Sequence, residues 1–216
     1  VLPGEDLALG QLVTLATELD LGHGPIDLLA ADSGGRLAIV EFKKGTENSD
    51  VRKVVAQVLD YGSALWRVPY DDLEERCRRC NPGFDDALID HMAAQLAGIG
   101  EGGFDPEAFR KGVETSLNTG NFVFLYVGRN LDVRTKRIMT YLAEGPRMAF
   151  FAVEVDYFHS GDPNSAALVP RTAFVPSWVG AADGRTNRPS LSLDELLTQA
   201  PLAVREMLAH MDLMTK

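Results

Sequence analysis

Three short strand-like segments joined by two glycine turns constrain this chain more than any other feature. Over residues 12–21, LVTLATELDL, the side chains alternate: Val13, Leu15, Thr17, Leu19 and Leu21 point one way, and Thr14, Ala16, Glu18 and Asp20 the other. Gly22-His23-Gly24-Pro25 turns the chain, and residues 26–31 form a second strand. Asp32-Ser33-Gly34-Gly35 turns it again into a third strand over 36–43, rich in Ile and Val. Together these read as a β-meander.

The remaining elements follow from period and punctuation. Asn48 or Ser49 can cap a helix that runs to about Trp66, with Asp50 in its first turn and an apolar stripe of Val51, Val54, Val55, Val58 and Leu65. Residues 67–121 hold short helical patterns broken by Pro82, Gly83 and GIGEGG, and read as an acidic helical insertion. Phe122–Val127 is a short apolar run of the buried-strand type. A helix over 133–143 leads to strands over 148–158 and 167–175. The order β-β-β-α, insertion, β-α-β-β predicts an α/β domain over residues 1–176, built on a mixed sheet flanked by helices. Residues 177–216 read as a linker followed by a C-terminal helical appendage.

Composition supports a folded protein: of 216 residues, 45% are apolar and 24% charged. No apolar run reaches a membrane span and no signal-peptide pattern opens the chain, which starts on Val1 and reads as a piece of a longer protein. The net charge of −10 argues against a protein that coats nucleic acid. The excess is local, however. Residues 71–121 carry 11 acidic and 5 basic side chains, whereas residues 122–176 carry 5 and 6. Charge alone therefore does not exclude a nucleic-acid site. Cys77 and Cys80 are too few for a disulfide framework and indicate a reducing, cytoplasmic setting.

The chemistry lies in the meander. Glu41 and Lys43 share a face of the third strand, because side chains alternate with period two. If the second hairpin closes around Gly34, Asp27 lies directly opposite Glu41. If the first closes on Gly22-His23, Glu18 lies opposite Asp27. Opposed residues share a face, so three carboxylates and an ammonium would converge near a strand end. A one-residue slip would disperse them. Carboxylates that close repel one another, and a hard divalent cation resolves the conflict. With a lysine at hand to polarise water or meet charge on phosphorus, this is equipment for metal-dependent phosphodiester hydrolysis.

GPIDLLAAD followed by RLAIVEFKKG resembles the signature of the PD-(D/E)XK nuclease superfamily, with Asp27 as the Asp and Glu41-Phe42-Lys43 as the E-x-K. In AQVLDYGSAL, Gln57 and Tyr61 match the Q-x3-Y of the RecB- and NucS-like branches, and Glu18 matches an acidic position of the latter. The resemblance covers roughly residues 12–66 and, less closely, 122–175. Residues 67–121 and the tail lie outside it, and the helix that commonly precedes the first strand is barely represented. It implies a restriction-endonuclease-like fold, Mg²⁺ or Mn²⁺ on Asp27 and Glu41 with Glu18 nearby, Lys43 assisting the water, and Gln57 and Tyr61 beside the metal or the scissile strand. DNA is the implied substrate, with a homodimer among the expected assemblies and no membrane partner.

Plainer readings stand beside these. Asp27, Glu41 and Lys43 could be an exposed charged sheet edge, Glu18 an ordinary solvated acid, and Gln57 and Tyr61 the outer side of an amphipathic helix. Lys44, Arg52 and Lys53 near the site, and Arg129, Arg134, Lys136 and Arg137 after the FVFLYV strand, are candidate phosphate contacts or merely solvated faces. Cys77-Arg78-Arg79-Cys80 has no second pair to complete a zinc site and reads as two reduced thiols on an exposed basic helix. Trp66 and Trp178 read as core. The leading expectation is a metal-dependent deoxyribonuclease. Its alternatives are a catalytically inactive nuclease-fold module that binds nucleic acid or protein within a larger repair or defence protein, and a metal-binding protein acting on a small phosphoester.

Overall fold

A computed structural model describes residues 11–22, 24–43, 51–81, 84, 87–98, 103–129, 131–146, 148–159 and 166–179. The meander is present as β1 (Val13–Asp20), β2 (Pro25–Ala31) and β3 (Leu37–Phe42). Four helices follow: α1 (Val51–Leu65), α2 (Tyr70–Cys80), α3 (Leu88–Gly98) and α4 (Pro106–Thr119). β4 (Val123–Gly128), α5 (Val133–Glu144), β5 (Ala149–His159) and β6 (Ala166–Phe174) complete the order. The caps proposed for α1 at Asn48 or Ser49, and the tail from residue 180 onward, lie outside the described residues.

The six strands form one mixed sheet in sequence order. β1, β2 and β3 are antiparallel, β3, β4 and β5 run parallel, and β6 returns antiparallel to β5. The mixed α/β sheet expected from the order of elements is therefore the one observed. A parallel neighbour needs a crossover. Helices α1 to α4 supply it between β3 and β4, and α5 supplies it between β4 and β5.

All five helices contribute to one apolar cluster on one face of the sheet, through Val54, Tyr70, Leu88, Phe109 and Met139 among others. Helices α2 to α4 are thus part of the main core, because Leu73, Cys77, Met92 and Val113 are fully withdrawn from solvent within it. The expected picture of exposed thiols is corrected here. Cys77 faces the core and burial pushes its thiol up to about 12, while Cys80 is half-buried and both are free. Trp66 is the converse: expected in the core, it is 47% exposed, donates from Nε1 to the Asn118 carbonyl at 3.1 Å and stacks under Arg67. The opposite sheet face carries a smaller cluster of Ala30, Ala38, Val123, Ala149 and Phe151. Trp178 packs on that cluster and donates to the Ala143 carbonyl at 2.8 Å, so the chain just past Pro176 still belongs to this packing.

One close approach locks α4 to the β2–β3 turn. Gly35 has φ +80°, and a Cβ on it would overlap the Phe109 carbonyl. A Cβ on Gly112 would overlap the Gly34 carbonyl. Two glycines are needed because two backbones meet there. The hairpin that carries Asp27 and Glu41 is therefore held from its turn end.

Candidate functional site

β2 and β3 pair as Leu28↔Val40, Leu29↔Ile39, Ala30↔Ala38 and Ala31↔Leu37. One step further in this register, Asp27 stands across from Glu41, as the turn chemistry predicts. The ladder stops there, and the Asp27 side chain takes over from it: Oδ2 accepts a hydrogen bond from the Phe42 backbone N–H at 2.7 Å. A carboxylate tied to the backbone beside Glu41 has little freedom to swing away.

Glu41 lies on the helix-covered face with Leu37 and Ile39, and is 2% exposed. Its Oε1 accepts from Lys43 Nζ at 2.5 Å, and its Oε2 is buried without a hydrogen-bond donor among the described residues. Lys43 Nζ also donates to Gln57 Oε1 at 3.0 Å, and Gln57 Nε2 reaches the Tyr61 hydroxyl at 3.4 Å. Gln57 and Tyr61 sit one helical turn apart on α1 and face the sheet beside Val54 and Val58. The alternative of an outward-facing pair does not apply, since Tyr61 is 5% exposed. The structure brings Asp27, Glu41, Lys43, Gln57 and Tyr61 into one chain of contacts.

Burial raises the Glu41 carboxyl above its ordinary range. The Lys43 hydrogen bond opposes that rise, and the nearby Asp27 charge adds to it. Burial likewise raises the Tyr61 hydroxyl, with the Glu41 charge second. Tyr61 therefore keeps its proton at neutral pH and remains a donor.

Glu18 does not join the group. Its position in the β1–β2 register is the expected one, flanked by Thr17↔Leu28 and Leu19↔Ile26. The left-handed φ of 51° at Glu18 itself breaks the alternation that would have aligned its side chain. Glu18 is exposed, and no three Asp, Glu, His or Cys side chains converge on a cation position among the described residues. The oxygen donors brought together are two carboxylates, not three. Lys44 and the side chain of Arg52 lie outside the described residues. Lys53, Arg129, Arg134 and Arg137 are exposed, and Lys136 is half-buried.

Three residues join this sheet edge that the sequence reading passed over. β3 and β4 align Glu41 with Tyr126, and β4 and β5 align Gly128 with Glu154. A Cβ on Gly128 would collide with the Tyr126 ring and hydroxyl, so the missing side chain makes room for Tyr126 to lie along its strand. Glu154 is 5% exposed; Oε1 accepts from the Leu131 N–H at 2.5 Å and Oε2 pairs with Arg171 at 2.7 Å. A lone carboxylate inside the apolar run AFFAVEV is the same signal that singled out Glu41 in LAIVEF.

Among the described residues no helix is long and apolar enough to cross a membrane. No protein-family model, curated protein or solved structure matches the chain.

Proposed function

We propose that this protein is a metal-dependent nuclease that hydrolyses DNA phosphodiester bonds at Asp27 and Glu41. The single observation that carries this is the unequal use of the two Glu41 oxygens: Lys43 holds Oε1, whereas Oε2 is buried and meets no donor among the described residues, with the Asp27 carboxyl near enough to Glu41 for the two to share a proton or a cation. Leaving a buried acceptor unsatisfied costs about 1–3 kcal/mol, and more when it is charged. A hard cation that takes one or two carboxylates and completes its shell with water and phosphate fits this donor set. The ordered Asp27, Glu41-x-Lys43, Gln57 and Tyr61 motif, with its resemblance to PD-(D/E)XK nucleases, supports the same reading and a restriction-endonuclease-like fold.

Asp27 and Glu41 would hold the Mg²⁺ or Mn²⁺. When bound, such a cation supplies positive charge against the phosphate and acidity for a water molecule. Lys43 spends two of its three N–H groups on Glu41 and Gln57, and the third is available to charge that builds on the phosphoryl oxygens. Gln57 orients that ammonium by accepting from it, and Tyr61 braces Gln57. In the reaction, the water oxygen bonds to phosphorus and the sugar oxygen leaves with the bonding pair and takes up a proton. The products are a phosphomonoester and a hydroxyl.

A second reading keeps the fold without turnover, as a module that binds nucleic acid or protein. The net charge of −10 is its support. Cleavage of labelled single-stranded, duplex and branched DNA with Mg²⁺ or Mn²⁺, together with calorimetric metal titration, separates the two. For wild type we expect metal binding and cleavage. For Asp27→Asn and Lys43→Ala, both folded, we expect at least a hundredfold loss of rate, on the order of a removed charge stabiliser. Metal binding should disappear in Asp27→Asn. Cleavage that survives in both variants, or metal binding indifferent to Asp27, would remove this site from the reaction.

A further inference from the structure

Beyond Glu41, the sheet carries a second row of side chains on the same face. In the β3–β4 register Lys43 lies level with Gly128, as the Lys43 N–H to Val127 carbonyl bond of 2.9 Å confirms. Gly128 is level with Glu154, and Glu154 with Arg171. Four neighbouring strands thus place Lys43, Gly128, Glu154 and Arg171 in one line, one pleat past Glu41 towards the C-terminal edge of the parallel strands. Between the two ends of that line the Tyr126 ring and hydroxyl lie over Gly128.

Arg171 is built differently from the other basic side chains on this edge. Its side chain is 60% exposed, yet one guanidinium nitrogen is held at 2.7 Å by Glu154, whose side chain is only 7% exposed. Glu154 is itself fixed by the Leu131 backbone N–H. The more exposed Asp156 stands 4.0 Å from Arg171 Nε, too far for a hydrogen bond. An exposed ion pair adds little to stability, and burying its acid costs solvation, so this arrangement is poorly explained as a structural clamp alone. What it does supply is an arginine anchored through one nitrogen by Glu154 while most of its side chain stays exposed. A planar fork of that kind suits a phosphate.

From this row we infer that Arg171 is a backbone-phosphate contact for the nucleic-acid strand whose scissile bond lies at Asp27 and Glu41, with Glu154 as its positioning residue. The inference rests on the nuclease reading and extends it to how the substrate lies. Neighbouring strands are spaced by about 4.8 Å, so a guanidinium drawn back over β5 stands about 10 Å from β3. At about 3.4 Å of rise per nucleotide, that is about three nucleotides along the strand from the bond that breaks. The substrate strand then runs across β3, β4 and β5, over the Tyr126 hydroxyl.

The test uses the full chain and fluorescence anisotropy of a labelled single-stranded and a duplex DNA, with divalent metal chelated, over a series of salt concentrations. Metal-dependent cleavage of the same DNA is followed in parallel. Arg171→Ala should bind about fivefold more weakly, and its salt slope should fall by about 0.7–0.9, the release of one phosphate contact. Arg171→Lys should recover the slope but only part of the affinity, because a point charge lacks the fork. Glu154→Gln, if circular dichroism shows it folded, should lose affinity while keeping the slope. Asp27→Asn should bind normally and fail to cleave. If Arg171→Ala binds and titrates with salt as wild type does while Asp27→Asn is inactive, the nuclease reading stands and the Arg171 contact is refuted. If wild type binds neither DNA, both fall.

Discussion

Asp32 at the turn end of the β2–β3 hairpin and Glu41 at its open end are both almost withdrawn from solvent, at 8% and 2% exposure. Their surroundings are opposite. Asp32 Oδ1 accepts from the Gly34 and Arg36 backbone N–H groups at 3.0 and 2.9 Å, and Oδ2 from Arg36 Nε and Nη2 at 2.9 and 2.8 Å. Glu41 accepts from Lys43 on one oxygen, and among the described residues no donor meets the other, while the Asp27 carboxyl beside it repels the charge. The first carboxylate is consumed in making a turn. The second is buried on the helix-covered face of β3 and left with one oxygen that meets no donor among the described residues. Glu154 stands between the two, with both oxygens satisfied but its arginine partner turned to solvent.

The largest effect that could break this contrast is on folding. Asp32→Ala strands two backbone donors and a guanidinium, and should cost about 2–3 kcal/mol in urea unfolding. Glu41→Gln should cost nothing at neutral pH, or stabilise by up to about 1 kcal/mol, because the ionised form is the one that burial penalises. If both substitutions destabilise equally, Glu41 is an ordinary structural acid and the contrast disappears.

The pH dependence of the same pair sharpens the point. The folded Glu41 pKa lies above the ordinary 4.5. A raised folded value means that the folded state binds the proton more tightly than the unfolded chain does. The stability linked to that proton is therefore complete below 4.5 and lost as pH rises through the folded pKa. Wild type should lose stability relative to Glu41→Gln across that window and run parallel to it above. A difference that moves the other way, with wild type gaining as pH rises, would mean that Lys43 outweighs burial.

Smallest in effect is the thiol comparison, which applies the same logic to a neutral acid. With its thiol pushed up to about 12 by burial, Cys77 should resist iodoacetamide at pH 8, while half-buried Cys80 is alkylated. Mass spectrometry of the labelled peptide reads this directly. Equal labelling would mean that α2 opens readily from the sheet.

Much of this architecture was legible before any coordinates. The strands fall within two residues of their predicted positions, and the hairpin register that opposes Asp27 to Glu41 follows from the glycine turn between them. Gln57 and Tyr61 needed only a helical turn of spacing. Glu18 stays apart because it is itself a left-handed residue within a correctly registered strand, and nothing in the alternating pattern marks that. Cys77 is hidden in the sequence because helices α2 to α4 read as an insertion although they pack as core, and Trp66 because an aromatic just past a helix end carries no mark of the side it faces. The Glu154–Arg171 pair depends on β6 folding back along β5, and no local pattern announces which acid an edge arginine will meet.

Turns and periodicity act over a few residues, so the elements, their order and the register of the β2–β3 hairpin are written locally in the chain. How each carboxylate is satisfied depends on contacts between distant segments, which no local pattern encodes. Asp32, Glu41 and Glu154 differ in how many donors other segments bring to a buried oxygen, and that number sets both the cost of the charge and its freedom to take a ligand.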